Sequence, residues 1–311
     1  LGHGHRHHHE ADQGDGRLFL AITVNLGLTV AQVIGGLLSG SLALIADALH
    51  NASDAVSLII AFGARRIARK PADSAMTFGY GRAEMVAALI NYTTLIVLGL
   101  YLVTEAVMRA LDPQLVDGWL VVIIAGVALA VDAATALLTF AMSKKSANIR
   151  AAFLHNLADA LGSVAVIVAG TLILLFDWRL IDPAVTLLIA GYILWMSLSE
   201  IGGVVRMLML GTPPDLDPHE VVDRLSGVPE IERIHHVHLW QMQEHEAAFE
   251  AHIVVAKMDW AKAEEIKNAL RDKLLQEFGI THSTLELERA TQPKAQDSTI
   301  GHDAQDGEEV A

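Results

Sequence analysis

The sequence predicts a polytopic α-helical membrane domain of six transmembrane helices followed by a small α+β domain, and three observations predict it. Apolar runs of spanning length recur six times between Leu18 and Met209, where charges are sparse. The 311 residues are 52% hydrophobic, with a mean hydropathy of +0.40 and yet a formal net charge of −14, so apolar and charged material must lie in separate regions. Beyond Met209 the pattern changes to short alternating runs and amphipathic helical spacing, and nearly all the acidic excess lies there.

A helix rises about 1.5 Å per residue, so crossing a hydrocarbon core of about 30 Å takes about 20 mostly apolar residues. Six segments qualify, approximately Leu18–Leu38, Leu42–Gly63, Met85–Met108, Trp119–Met142, Phe153–Phe176 and Ile181–Val205. The first is read as a retained span, because histidine and acid precede it and no small-residue cleavage site follows. Lysine and arginine in short loops set orientation. The loop after the second span carries Arg65, Arg66, Arg69, Lys70 and Arg82, and the loop after the fourth carries Lys144, Lys145 and Arg150, against Arg109 and Arg179 on the other side. Both termini are therefore expected in the cytoplasm, in a multi-pass protein of the cell membrane, on a bacterial reading the inner one.

Residues 1–16 form a His-rich cytoplasmic tail and 17–209 the membrane domain. GTPPDLDP then reads as a linker, since its prolines and glycine interrupt regular hydrogen bonding. Within 210–290 a helix is expected around Pro218–Leu225, strands in IHHVHLWQM and FEAHIVVAK, an amphipathic helix over Trp260–Phe278 and a closing strand in HSTLELE. That order suits a two-layer domain with one helical face and one open sheet face. From Thr291 to Ala311 the chain is polar, acidic and free of aromatics, the composition of a disordered tail. The absence of cysteine excludes disulfides and thiolate chemistry. The acidic balance gives no footprint for nucleic acid, which is not an expected partner.

The second span contains ALIADALHNASDAVSL, in which His50 and Asp54 stand at i and i+4 on one helical face. The fifth contains AAFLHNLADALGS, where His155 and Asp159 repeat that spacing. Two imidazoles and two carboxylates converging from two helices would complete a tetrahedral shell, which Zn²⁺ accepts readily. A carboxylate at bilayer depth costs about 2.5–3.5 kcal/mol on the insertion scale and normally faces a cavity or partner, and a divalent cation would offset both charges. Asp47 has three readings: an outer acceptor orienting a ligand, part of an entry path, or an interhelical bond. Asn25 and Asn91 are candidates for cavity lining or helix–helix bonding, Glu105 sits near a segment end, and Asp132 is a candidate proton or structural group.

No GxxxxGK[ST] phosphate loop occurs, and FGYGRAE lacks the context of a dinucleotide fingerprint, so an ion gradient is the expected energy source. Protons and metal compete for the same electron pairs on His50, His155 and the aspartates, which makes the proton the expected counter-ion.

GSLALIADALHNASDA, FGYGRAE, FLHNLADALGS, HHVHLW, AHIVV and ITHSTLELE together resemble the cation diffusion facilitator family, and more closely its zinc-exporting branch, over roughly Arg17 to Glu288. The resemblance implies a homodimer of six-span subunits in the lipid bilayer, a metallochaperone-like (ferredoxin-like) cytoplasmic domain, and proton-coupled export by alternating access. By position it implies His50, Asp54, His155 and Asp159 as the transport site. Members with four aspartates favour manganese, so the mixed set implies zinc, with cadmium, cobalt or nickel tolerated. Some members carry a further site in the loop after the second span; here Asp73 is in place, but Met76 and Tyr80 stand where imidazoles would be wanted. A regulatory site at the dimer contact is implied for His238, His252 and His282, with Glu286 as an alternative oxygen ligand, and His235 and His236 lie nearby. His3, His5, His7, His8 and His9 are candidates for an accessory chelator.

The leading expectation is a zinc/proton antiporter. A second keeps the mechanism with cobalt, nickel, cadmium or iron as main cargo, since nitrogen and oxygen ligands discriminate weakly among them. A third is a membrane metal sensor or scaffold without turnover. Enzymatic hydrolysis is disfavoured because four protein ligands leave no open position on the metal.

Overall fold

The computed structural model describes residues 26–143, 147–243, 246–256, 260–289 and 299–301, without the side chains of 138–139, 141–143, 147–152, 155, 260 and 261. The His-rich tail, Asn25, Lys144, Lys145 and most of the acidic tail lie outside the described residues. The chain divides into two compact units, one formed up to Gly63 together with Ile90–Ile201, the other by Ala64–Leu89 and the chain from Gly202 onward.

The first unit is helical. After α1 (Leu26–Ser39) come α2 (Leu42–Ala68), α3 (Ala83–Leu111), α4 (Gly118–Ser143), α5 (Ala147–Phe176) and α6 (Ile181–Leu208). Helices α2 to α6 are long and apolar enough to cross a membrane; α1, the described part of the expected first span, is shorter. Leu58, Ile59, Phe62, Val97 and Leu100 are exposed, an arrangement suited to a hydrocarbon solvent and unsuited to water. The interior between helices is tight: a Cβ on Gly118 of α4 would stand 2.6 Å from the Gly170 carbonyl of α5. Small residues there let backbones approach, as is usual where lipid removes the hydrophobic drive for association.

The helices outrun the apolar segments that predicted them. Hydropathy marks where a span leaves the bilayer, but backbone hydrogen bonding continues until something stops it. Helix α2 thus takes Arg65 and Arg66 into its last turn, where cations suit the negative end of the helix dipole, and ends before Pro71. Helix α5 begins at Ala147, six residues before the expected Phe153.

The start of α2 is held from a distance. Ser41 caps it, its Oγ accepting from Leu44 N at 3.1 Å. Asp182, in the first turn of α6 and 1% exposed, accepts from Ser41 Oγ at 2.5 Å, Leu42 N at 2.8 Å and Ala43 N at 3.3 Å. The first three amide N–H groups of α2, orphans of any helix start, are thereby satisfied in a buried setting. Gly40 makes the preceding turn at φ +73°, and Arg109 Nη1 donates to its carbonyl at 2.5 Å.

The second unit contains α7 (Pro218–Ser226), β1 (Ile231–Gln243), β2 (Glu246–Val255), α8 (Trp260–Phe278) and β3 (His282–Arg289), in the helix–strand–strand–helix–strand order expected. Asp217 caps α7, accepting from His219 N, with Pro218 in the first turn. The sheet order is β1-β2-β3; β1 and β2 pair antiparallel, and α8 carries the chain over to β3, which joins β2 in parallel. Val221, Leu225, Leu270 and Leu274 of the helices pack on Ile234, Val237, Phe249, Ile253 and Leu285 of the strands. The other side of the sheet carries His238, His252, Glu286 and Glu288, with His235 buried beside them. At the far edge of β1, part of the tail expected to be disordered pairs instead: Val237 N donates to the Thr299 carbonyl and Gly301 N to the Val237 carbonyl. A lone sheet edge offers such unpaired groups to any extended segment.

Replacing Asp182 by alanine leaves the first N–H groups of α2 unsatisfied. The expected outcome is a loss of about 1–3 kcal/mol per abandoned buried group, read as a lowered thermal unfolding midpoint of the detergent-solubilised protein, with Asp182→Asn intermediate.

Candidate metal centre

Helix α2 presents His50 and Asp54 one turn apart, and α5 presents Asp159 against them. His50 Nε2 lies 3.7 Å from Asp54 Oδ2 and 3.4 Å from Asp159 Oδ1. One ligand atom from each of the three falls within 4.8 Å of the others, close enough for a single ion to touch all three. His50 is buried and the two carboxylates are largely so. His155 stands one helical turn before Asp159 on α5, but its side chain lies outside the described residues. Tyr192 of α6 sets its ring edge-on to the His50 imidazole, centroids 6.4 Å apart.

Around this group the helices carry further buried polar contacts. Of the three readings of Asp47, the interhelical bond is formed: its Oδ2 accepts from Gln32 Nε2 of α1 at 2.6 Å. Gln32 Oε1 in turn accepts from Asn51 Nδ2 at 3.1 Å. Asp132 of α4 accepts from Ser163 Oγ of α5 at 3.2 Å. Asn91 of α3 accepts from Ser57 Oγ of α2, again a helix–helix bond, and Glu105 pairs with Arg109 one turn on at 3.4 Å. Gln32 is absent from the sequence expectations, although a lone amide inside the apolar run LTVAQVIGG was a usable signal.

In the loop between α2 and α3, Asp73 is engaged within its own loop. Its Oδ1 accepts from Ala75 N at 2.9 Å and Met76 N at 2.8 Å, and its Oδ2 from the Tyr80 hydroxyl at 2.8 Å. The residues standing where imidazoles were wanted thus close a turn around the carboxylate.

The sheet gathers a second group. His235, His252 and Glu288 bring one ligand atom each within 4.8 Å of one another. His235 Nε2 lies 3.1 Å from Glu288 Oε2, and His252 Nδ1 lies 2.8 Å from Glu288 Oε1. Glu286, register partner of His252, approaches its Nε2 at 3.5 Å. The expected set of His238, His252, His282 and Glu286 is therefore only partly brought together. His282 pairs with Ala248, four positions along β2 from His252, or about 13 Å at strand rise. Its ring lies against Phe78 instead. His238 stacks edge-on to His236, centroids 5.0 Å apart.

A β-bulge produces this arrangement. Neighbours on a regular strand point to opposite faces, but β1 slips register between His235 and His238, and His236 adopts φ +55°. The rings of both His235 and His236 consequently approach His252, at 5.3 Å and 4.7 Å between centroids. A histidine in the left-handed region carries backbone strain, which tends to persist at functional sites. Partial burial pushes the Glu288 carboxyl up, but hydrogen bonds and charge from His235 and His252 outweigh it and hold the group below the ordinary glutamate value.

The family model described as the cation efflux transmembrane domain matches residues 18–209, and that of the cation efflux protein cytoplasmic domain matches 213–290. The zinc transporter ZitB of Pectobacterium atrosepticum is 38% identical over 287 residues, covering 91% of this chain and 88% of its own. The cadmium, cobalt and zinc/H(+)-K(+) antiporter of Bacillus velezensis is 34% identical over 290 residues, covering 92% of each chain. Among solved structures, the metal-bound C-terminal domain of the CzcD transporter from Cuprividus metallidurans covers 24% of this chain and 99% of its own, at 28% identity and a TM-score of 0.21.

The Asp73 turn has a defined pH response. The Tyr80 hydroxyl first, then the Met76 and Ala75 amides, hold the Asp73 carboxyl below the ordinary aspartate value of 3.8. A depressed carboxyl contributes stability that is complete above its unfolded value and is lost as pH falls through the folded one. Tyr80→Phe should raise the Asp73 pKa toward 3.8, seen by carboxyl-carbon NMR titration; an unmoved titration would show that the hydroxyl does not hold it.

Proposed function

The chain belongs to the cation diffusion facilitator family, in its zinc-transporter branch, and from that premise we propose that it exports zinc from the cytoplasm in exchange for protons by alternating access. It is a polytopic membrane protein and a secondary active transporter of divalent cations, not an enzyme. The observation that carries the finer reading is the convergence of His50, Asp54 and Asp159 from α2 and α5, within 4.8 Å of one another inside helices long enough to span a bilayer.

On this reading His50, Asp54, His155 and Asp159 hold the cargo ion, His155 supplying the fourth ligand. Neutral imidazole and ionised carboxylate collect the metal on the cytoplasmic side. After outward opening, protons take the same electron pairs and expel it, and their return to the cytoplasm completes the cycle. Nitrogen and oxygen ligands bind Zn²⁺ without sharp discrimination against Cd²⁺, Co²⁺, Ni²⁺ or Fe²⁺. The name of the Bacillus velezensis relative, which pairs cadmium, cobalt and zinc with protons and potassium, supports both the broader cargo range and the proton as counter-ion.

The chain acts as a homodimer of six-span subunits, α1 belonging to the first span, with both termini in the cytoplasm and the αββαβ domain in the place of the metallochaperone-like one. His235, His252 and Glu288, with Glu286 at hand, form a regulatory zinc site there. Metal on that acidic face screens repulsion between subunits and favours their association. The His-rich tail raises local metal concentration.

Zinc flux into sealed proteoliposomes under an imposed pH gradient, with internal pH monitored, tests the transport reading. Reciprocal, saturable zinc and proton movement is expected, abolished by Asp54→Ala and by Asp159→Ala. Zinc binding without flux would favour the sensor reading, and flux indifferent to both substitutions would move the site elsewhere.

For the regulatory site, His252→Ala is expected to remove one class of bound zinc from the purified protein and raise the zinc concentration for half-maximal flux, while maximal flux persists. Unchanged zinc stoichiometry would remove the sheet cluster from consideration.

A further inference from the structure

The transport reading leaves Gln32 of α1 unused, although its side chain is 0% exposed and bonded at both ends. Its amide donates to Asp47 Oδ2 at 2.6 Å and accepts from Asn51 Nδ2 at 3.1 Å. Chemistry fixes this orientation, since an Asp oxygen and an Asn NH₂ group leave one way round for the Gln amide. Asp47 and Asn51 are themselves 3% and 4% exposed.

At 3.6 residues per turn, Asp47, His50, Asn51 and Asp54 fall within an arc of about 100° on α2. The strip of α2 that offers two metal ligands is therefore the strip to which α1 is pinned. Asp47 stands one turn before His50, and Asn51 directly follows it. Helix α5 closes on the same point: a Cβ on Gly162, three residues beyond Asp159, would lie 3.4 Å from Asp47 Oδ1. Turning α2 about its axis would break both bonds and leave three buried polar groups unsatisfied together, which is strongly disfavoured.

We propose that Gln32 is a positioning residue of the metal centre: by clamping Asp47 and Asn51 it sets the rotation of α2, and so the aim of the His50 imidazole at Asp54 and Asp159. The inference rests on the reading of those residues as the transport site. Gln32 touches no ion; it acts through the two side chains that bracket His50.

The half-saturating zinc concentration for flux in proteoliposomes is measured at several symmetrical pH values on a His252→Ala parent, which removes the contribution of the sheet cluster, so that it reports on the transport site. Gln32→Leu, which removes both bonds, is expected to raise it by about 10- to 100-fold, the range for lost outer partners of metal ligands, by a similar factor at each pH. Gln32→Glu keeps the acceptor for Asn51 but can donate to Asp47 only while protonated, so its deficit relative to the parent should grow as pH rises. A loss of packing alone would not produce that divergence. The inference is overturned if Gln32→Leu saturates at the parent's concentration, or if the Gln32→Glu deficit is independent of pH; should the leucine variant fail to fold, the glutamate variant decides. His50→Ala separates the two ideas. If flux ignores His50→Ala, the transport site itself has been misplaced; if flux needs His50 but not Gln32, only the positioning role falls.

Discussion

The helical unit depends on how carboxyl groups are compensated in apolar surroundings. Each ionised group at bilayer depth costs about 2.5–3.5 kcal/mol on the insertion scale unless something answers it. The answers here are of two kinds. Asp182 is answered by the N–H groups of α2, Asp47 by Gln32, and Asp132 by Ser163, all fixed protein donors. Asp54 and Asp159 are drawn instead toward one imidazole, His50. Fixed donors make a carboxyl structural. A group whose neighbour is a titratable ring keeps an electron pair that can go to a proton or to a metal, which is the chemical requirement for exchange.

The same donor types meet again on the sheet, under different constraints. There the sheet register supplies Glu286 opposite His252, and the bulge in β1 turns His235 and His236 toward the same place. The cost is a histidine at positive φ, and the pairing lost at the bulge is partly replaced by residues 299–301 at Val237. Such a device is short-range: it redirects two side chains and takes up the odd spacing between Ile234 and Val237, so that both stay with Leu239 in the core.

How far these features could be read in advance follows from their range along the chain. His50, Asp54 and Asp159 were legible because i, i+4 spacing is a local property of a helix, and its repetition in two spans announced the partner helix. The helix–strand–strand–helix–strand order was legible for the same reason. Asp182 was not, because its partner Ser41 lies 141 residues away and no local pattern links them. Gln32 looked like an isolated polar residue until the packing of α1 on α2 supplied Asp47 and Asn51. On the sheet, the family resemblance implied His238 and His282 beside His252. The bulge instead brings His235 to His252, while strand register makes Glu288 the acidic partner and leaves His282 four positions away.

Burial does not separate the two clusters, since each has one buried imidazole and two partly exposed partners. What separates them is the surrounding medium: His50, Asp54 and Asp159 lie on helices long and apolar enough to cross a membrane, where solvent screening is weak and each added or removed proton changes the energy of a bound ion strongly. That sensitivity suits a site that must release its ion on protonation. On the sheet, His235 is buried but His252 and Glu288 keep 25% and 35% of their side chains exposed to water, which damps such effects. Sensitivity to protons at the helical cluster, rather than at the sheet, is what the proposed exchange of metal for protons requires.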